Sequence, residues 1–407
     1  MPSSNKDGIV SCDVEVSFVV DVALDSNAEV ERDAFYSQRR VEADHERGNL
    51  DAFGEDAPIF HGAGDYDCFI PASLARVRAT GEAFAKLLVE FCETIGVLTG
   101  AVRVRAAAYR EGSALVRACR IACLSASRPR VLVADSLHPD ARRQLDAYAA
   151  AGLFKVESFA DLAGLDALLA CDPTSVACVV CSFPNFYGSL ESVSAVAERA
   201  RKVGASTVVA LNDLVAAAAV KPACELGADI VVGDARPFVE SRRASEPTLG
   251  FIGFAPGFEP KLSDSEIAAT AVKADALDAR SAEFATTYYA KAGMAGIADA
   301  SRRARKLAVR ARKALAEAGF QFHHDAPFVR EFAVKVADPK GMNAYLARWG
   351  VGGGRLLDDG MILAFTEKHA EGEIDELVYL MTMFQFGESA AQEGAARAEK
   401  SRKDKKS

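Results

Sequence analysis

The chain has 407 residues, half of them apolar, with a formal net charge of −9 at pH 7, which is enough for two or three domains with a sizeable core. That charge balance requires no basic face for nucleic acid, and no apolar run approaches the roughly 20 residues of a membrane span, so neither partner is expected. The nine cysteines are scattered through apolar stretches. Cys178 and Cys181 form a lone CxxC with no second pair and no nearby histidine, so no metal is expected and the cysteines read as buried thiols of a reducing compartment. The polar N-terminus, with no apolar h-region, points to the cytoplasm.

Residues 1–56 read as an N-terminal arm, an alternating segment from Val14 to Val20 followed by a charged stretch. The spacing of Phe84, Leu87, Leu88, Phe91, Cys92 and Ile95 predicts a helix over 81–100. Gly112 and Ser113 open a second helix at 114–125, with Ser113 as its N-cap. An α/β alternation follows. Apolar runs at 131–134, 176–181, 207–211 and 228–232 read as strands, with helices at 140–151 and 190–203. Runs that are apolar on both faces imply a mostly parallel sheet covered on both sides. A basic helical segment, 298–318, leads to a small α+β domain with strand 328–336, helix 341–349, strand 361–365 and helix 371–384. The expected division is an arm at 1–56, a large domain at 57–297, a connector helix with small domain at 298–386 and a disordered tail at 387–407.

Ligands of parallel sheets bind beyond the carboxyl ends of the strands. His138, Asn185 and Asp213 each follow a predicted strand, and so lie at that edge. His138 either stacks on a flat ligand or marks helix entry. Asp213 either holds a protonated ring nitrogen or caps a helix. Gly112 and Ser113 either cradle a phosphate at a helix N-terminus or serve as a plain cap. Together these groups suit pyridoxal phosphate (PLP), except that no lysine follows the run at 229–233, where such enzymes place their Schiff-base amine. Phe183-Pro184-Asn185-Phe186-Tyr187-Gly188 reads as a shaped contact loop.

Several words in this order resemble the alpha subunit family of the two-subunit glycine decarboxylase, the P-protein of the glycine cleavage system. They are Phe60-His61-Gly62-Ala63-Gly64-Asp65-Tyr66-Asp67 with Ile70-Pro71, Tyr109 to Ala114, Ser136 to Pro139, and Pro184-Asn185-Phe186-Tyr187-Gly188. Lys221-Pro222, Gly227-Ala228-Asp229-Ile230-Val231-Val232-Gly233 and Thr366-Glu367-Lys368 complete the set, which covers most of 58–385. The chain departs from the family at Arg76 to Gly81, at Thr286 to Ala290 and at Pro247 to Phe251.

The resemblance implies an α/β chain with the PLP-dependent transferase architecture (fold type I, aspartate aminotransferase-like). It implies assembly with a beta subunit that carries PLP covalently, typically as a pair of heterodimers. This chain would bear no catalytic residue. The reaction implied decarboxylates glycine and passes the aminomethyl group to a lipoyl carrier protein. Tyr66, Asp67, Asn185, Phe186 and Tyr187 are the expected subunit-interface residues. The alternatives are a scaffold or regulatory relative that has lost activity, and an independent PLP enzyme.

Overall fold

The computed structural model describes residues 82–109, 113–211, 213–234, 248–261, 279–387 and 392. The expected arm at 1–56, the motif from Phe60 to Pro71 and nearly all of the expected tail lie outside them.

Helix α1 (Glu82–Thr99) leads into strand β1 (Arg103–Tyr109), and helix α2 (Ser113–Ala126) follows. The chain then alternates through β2 (Arg130–Ala134), α3 (Pro139–Ala150), β3 (Lys155–Phe159) and α4 (Leu162–Cys171). It continues with β4 (Val176–Ser182), α5 (Val193–Lys202), β5 (Ser206–Leu211) and the single turn α6 (Leu214–Ala217). Strands β6 (Ile230–Asp234) and β7 (Thr248–Phe254) complete a seven-stranded sheet of order β1-β7-β6-β5-β4-β2-β3. Strand β7 is antiparallel to both its neighbours, and the other pairings are parallel.

The four strands expected from apolar runs are therefore the buried centre of a wider sheet. Leu132 and Ala134 point into the core under one face, Val131 and Val133 into the core under the other. Strand β4 breaks this alternation once. Arg130 pairs with Val176 but Val131 pairs with Cys178, so Ala177 is an extra residue, and Ala177 and Cys178 both face the same core. A bulge restores the pattern at no cost in burial. Cys181 faces the opposite core from Cys178, so the two thiols of the CxxC cannot share one ion.

Segment α7 (Ala279–Glu317) is helical on either side of Gly293, whose φ of +60° interrupts it. It starts well before the expected connector. Ile297 and Ala300 pack in the core of the large sheet, whereas Leu307, Ala308, Ala311 and Leu315 pack in the second domain's core. One helix thus passes from domain to domain. The second domain adds β8 (Glu331–Lys335), α8 (Pro339–Arg348), β9 (Arg355–Leu357), β10 (Gly360–Ala364) and α9 (Glu371–Phe386). Its antiparallel sheet has the order β8-β10-β9. The expected strand over 328–336 is shorter because its first residues turn to the large domain: Phe328 bridges Ser189 instead of joining the ladder.

Candidate functional site

Because β2, β4 and β5 run parallel, their carboxyl ends share one edge, and the turns after them carry His138, Asn185 and Asp213 side by side in strand order. The small domain closes over this edge, and the crevice between the two is the candidate site.

Asp213 is the deepest charged group there. Its Oδ1 accepts the backbone N–H groups of Val215 and Ala216, both at 3.0 Å, so it caps α6. The same carboxylate accepts two N–H bonds from Arg330 of the small domain, Nε to Oδ2 at 2.6 Å and Nη2 to Oδ1 at 2.8 Å. Both side chains are nearly sealed, at 3% exposure for Arg330 and 2% for Asp213. A carboxylate buried this far needs a partner charge, and a planar guanidinium offers two parallel donors. No signal in the sequence pointed to Arg330. It reads as one of three charged residues, with Glu331 and Lys335, in the expected strand 328–336, and its partner is 117 positions away.

The loop after β4 is built around Asn185. Its Oδ1 accepts the N–H groups of Tyr187 at 3.0 Å and Ser189 at 2.9 Å, and its own N–H donates to the Ser189 carbonyl. Its Nδ2 donates to Glu191 at 3.2 Å, and the Ser136 hydroxyl donates to the same Glu191 oxygen. Burial pushes the Glu191 carboxyl up from its ordinary range, against the pull of those two donors. The Phe186 N–H donates to the Ser136 carbonyl, and the Leu190 N–H to the Pro327 carbonyl. Asn185 and Phe186 are buried. Phe186 packs with Ala333 and Ile362 of the small sheet.

A ring cluster continues from the loop. The rings of His138 and Phe186 meet at right angles with 5.2 Å between centroids, and the Arg355 guanidinium lies 5.6 Å from the centre of the Phe186 ring. Tyr187 stacks on His323 and meets His324 edge to face. Burial, then the neighbouring His323, depress the pKa of His324. His138 is the N-cap of α3, its Nδ1 accepting the Asp140 N–H at 3.2 Å with Pro139 following.

The structure therefore brings His138, Asn185, Phe186, Tyr187 and Asp213 into one crevice. Gly112, Tyr66 and Asp67 lie outside the described residues, and so does the side chain of Ser113, though its backbone opens α2. Glu191, His323, His324 and Arg330 join the crevice without having been singled out. Every lysine whose side chain is described is exposed. Lys221 is one of these and pairs at long range with Glu225 on the surface.

The fold suggests PLP, and the described residues do not fit it. Both oxygens of Asp213 are taken by Arg330, the His138 ring packs at right angles to a phenyl ring, and no lysine whose side chain is described is buried enough to hold an aldehyde.

Comparison with known proteins gives the crevice a context. The family model described as glycine cleavage system P-protein matches residues 57–255. A relative from Syntrophomonas wolfei, described as a probable glycine dehydrogenase (decarboxylating) subunit 1, is 28% identical over 372 residues, covering 80% of this chain and 84% of its own. One of the same description from Anoxybacillus flavithermus is 28% identical over 375 residues, covering 78% and 82%. Among solved structures, an inhibitor-bound glycine decarboxylase (P-protein) superposes with a TM-score of 0.68 at 21% identity, covering 89% of this chain and 91% of that one. An alanine–glyoxylate aminotransferase from Nostoc sp. superposes at 0.60 with 14% identity, covering 80% and 95%. The fold is that of the PLP-dependent transferases of fold type I.

Proposed function

We propose that this chain, a divergent relative of the subunit 1 proteins of glycine dehydrogenase (decarboxylating), is the half of a two-chain P-protein that lacks the Schiff-base lysine. Its role is to complete, with a second subunit, an enzyme that decarboxylates glycine. The observation that carries this reading is the crevice itself. The cation on Asp213 is a guanidinium rather than a cofactor ring, and every lysine whose side chain is described is exposed. A chain with this fold, and with no nucleophilic amine among the described side chains of its crevice, contributes to catalysis by shaping a neighbour's site.

PLP belongs in this reading to the partner subunit, where it supplies an electron sink for cleaving a bond next to an amine. The finer steps, transfer of the aminomethyl group to a lipoyl carrier protein and assembly as a pair of heterodimers, are part of the same proposal. Asn185 is spent on its own loop, through Tyr187, Ser189 and Glu191, and Phe186 on this chain's small domain. Tyr187, only half-buried, is the loop side chain best placed for a partner, with Tyr66 and Asp67 as the further interface candidates.

The test pairs purified full-length chain with a lysine-bearing subunit 2 protein in the presence of PLP, and follows carbon dioxide release from labelled glycine. The expected result is no visible absorbance band on this chain alone and glycine-dependent release only from the mixture. A visible band on this chain alone, lost on replacing one lysine, would overturn the reading. A stable complex without turnover would identify a scaffold instead, the outcome that the chain's departures from the family words would favour.

A further inference from the structure

The Asp213–Arg330 pair does more than a helix cap requires. Asparagine caps helix N-termini as well as aspartate does, so the negative charge at 213 is not explained by α6. What the charge does is hold a cation from the other domain. Arg330 is delivered by a segment stitched to both domains: the Pro327 carbonyl accepts the Leu190 N–H, Phe328 bridges Ser189, and the Arg330 carbonyl accepts the Phe365 N–H at 2.9 Å. The Asp213 carboxylate sits beyond β5 on the ligand edge of the sheet, where a cofactor-bearing member of this fold would present a carboxylate to a protonated ring nitrogen.

We propose that Arg330 is a built-in occupant of the ring-nitrogen side of this crevice. Its guanidinium gives Asp213 the cation that a protonated pyridine would otherwise supply, and so holds the small domain closed on the large one with no ligand present. The inference rests on the reading of this chain as the cofactor-free half, and it adds a reason why that half keeps its shape alone. Two parallel N–H bonds from a planar cation satisfy both carboxylate oxygens, where a pyridinium offers one N–H. The site left by removing the arginine side chain would accept small planar guanidinium cations.

The experiment measures Tm of the full-length chain. Asp213→Asn keeps the α6 cap but faces Arg330 with an amide. It is expected to lower Tm clearly, and the double variant Asp213→Asn with Arg330→Gln to recover part of the loss. Arg330→Ala is expected to lose stability that methylguanidinium restores and that tetramethylammonium at equal ionic strength does not. Pyridoxamine phosphate, which has the ring and phosphate but cannot form a Schiff base with the protein, is expected to leave the wild-type Tm unchanged. The proposal is overturned if Asp213→Asn melts like wild type, which makes 213 a plain cap. It is equally overturned if pyridoxamine phosphate raises the wild-type Tm and Asp213→Asn abolishes that rise. Should Arg330→Ala fail to fold, the Asp213→Asn and double variants decide alone. These readouts use no partner subunit, so they can fail while the pairing experiment succeeds, and the reverse.

Discussion

Two carboxylates of the crevice, the buried Asp213 and the half-buried Glu191, are held by opposite means, and the difference is measurable. Asp213 is matched by a full positive charge, whereas Glu191 has only the neutral Ser136 hydroxyl and Asn185 amide. Burial dominates at Glu191 and raises its pKa in the folded protein. A raised acid favours the folded state while it is protonated. Its contribution is complete below the ordinary glutamate value and is lost as pH rises through the higher folded value. Glu191→Gln keeps an oxygen that can accept both donors and removes the charge. Its Tm relative to wild type should therefore climb as pH is raised from mildly acid to neutral. A difference that stays flat with pH would show that Glu191 is not carrying a buried charge. Of these residues, Asp213 was legible as a polar group at a strand end because β5 is an unbroken apolar run. Whether it caps or binds was not legible, since that depends on Arg330, delivered by a different domain.

The loop between β4 and α5 is where an element's geometry, rather than one side chain, carries the site. Gly188 has φ +81°, and a Cβ there would lie 2.4 Å from the Glu331 carbonyl oxygen. Gly152, at φ +82°, has nothing within 4 Å of the same position. Left-handed backbone costs a non-glycine residue about 1–2 kcal/mol, so Gly152→Ala should lose about that much in urea titrations. Gly188→Ala must in addition push the loop off β8, and should lose well over 2 kcal/mol. Equal losses would mean that the loop is not pressed on the small domain. The sequence showed this loop as an unusual word and placed it at the ligand edge, but not what it touches. Strands followed the same logic. Those buried on both faces, β2, β4, β5 and β6, stood out as apolar runs. The edge strand β3, Lys-Val-Glu-Ser-Phe with only Phe159 buried, did not. Strands β1 and β7 were hidden by arginines in one and glycines in the other. The short helix α4 was missed as well; it lies on the layer that covers the sheet, and Leu165 and Leu169 are its buried residues.

At the scale of the molecule, the question is whether the two domains open independently. They share helix α7, the Ser189–Phe328 bridge, the Phe186 cluster and the Asp213–Arg330 pair. Of these, only the ion pair sets a charge deep between the domains. Separating the domains would strand a carboxylate and a guanidinium together, so the pair couples small-domain opening to exposure of the crevice. Breaking one side of a buried pair costs about 3–5 kcal/mol. Native-state hydrogen exchange reads this directly, because amides of separately opening units exchange with separate free energies. In wild type, the amides of Glu331–Lys335 and Gly360–Ala364 should exchange as slowly as those of Val176–Ser182. In Arg330→Gln, the small-domain amides should exchange roughly 10²- to 10⁴-fold faster while the large sheet changes little. Were the small sheet to exchange faster than the large one already in wild type, the ion pair could not be what holds the domains together.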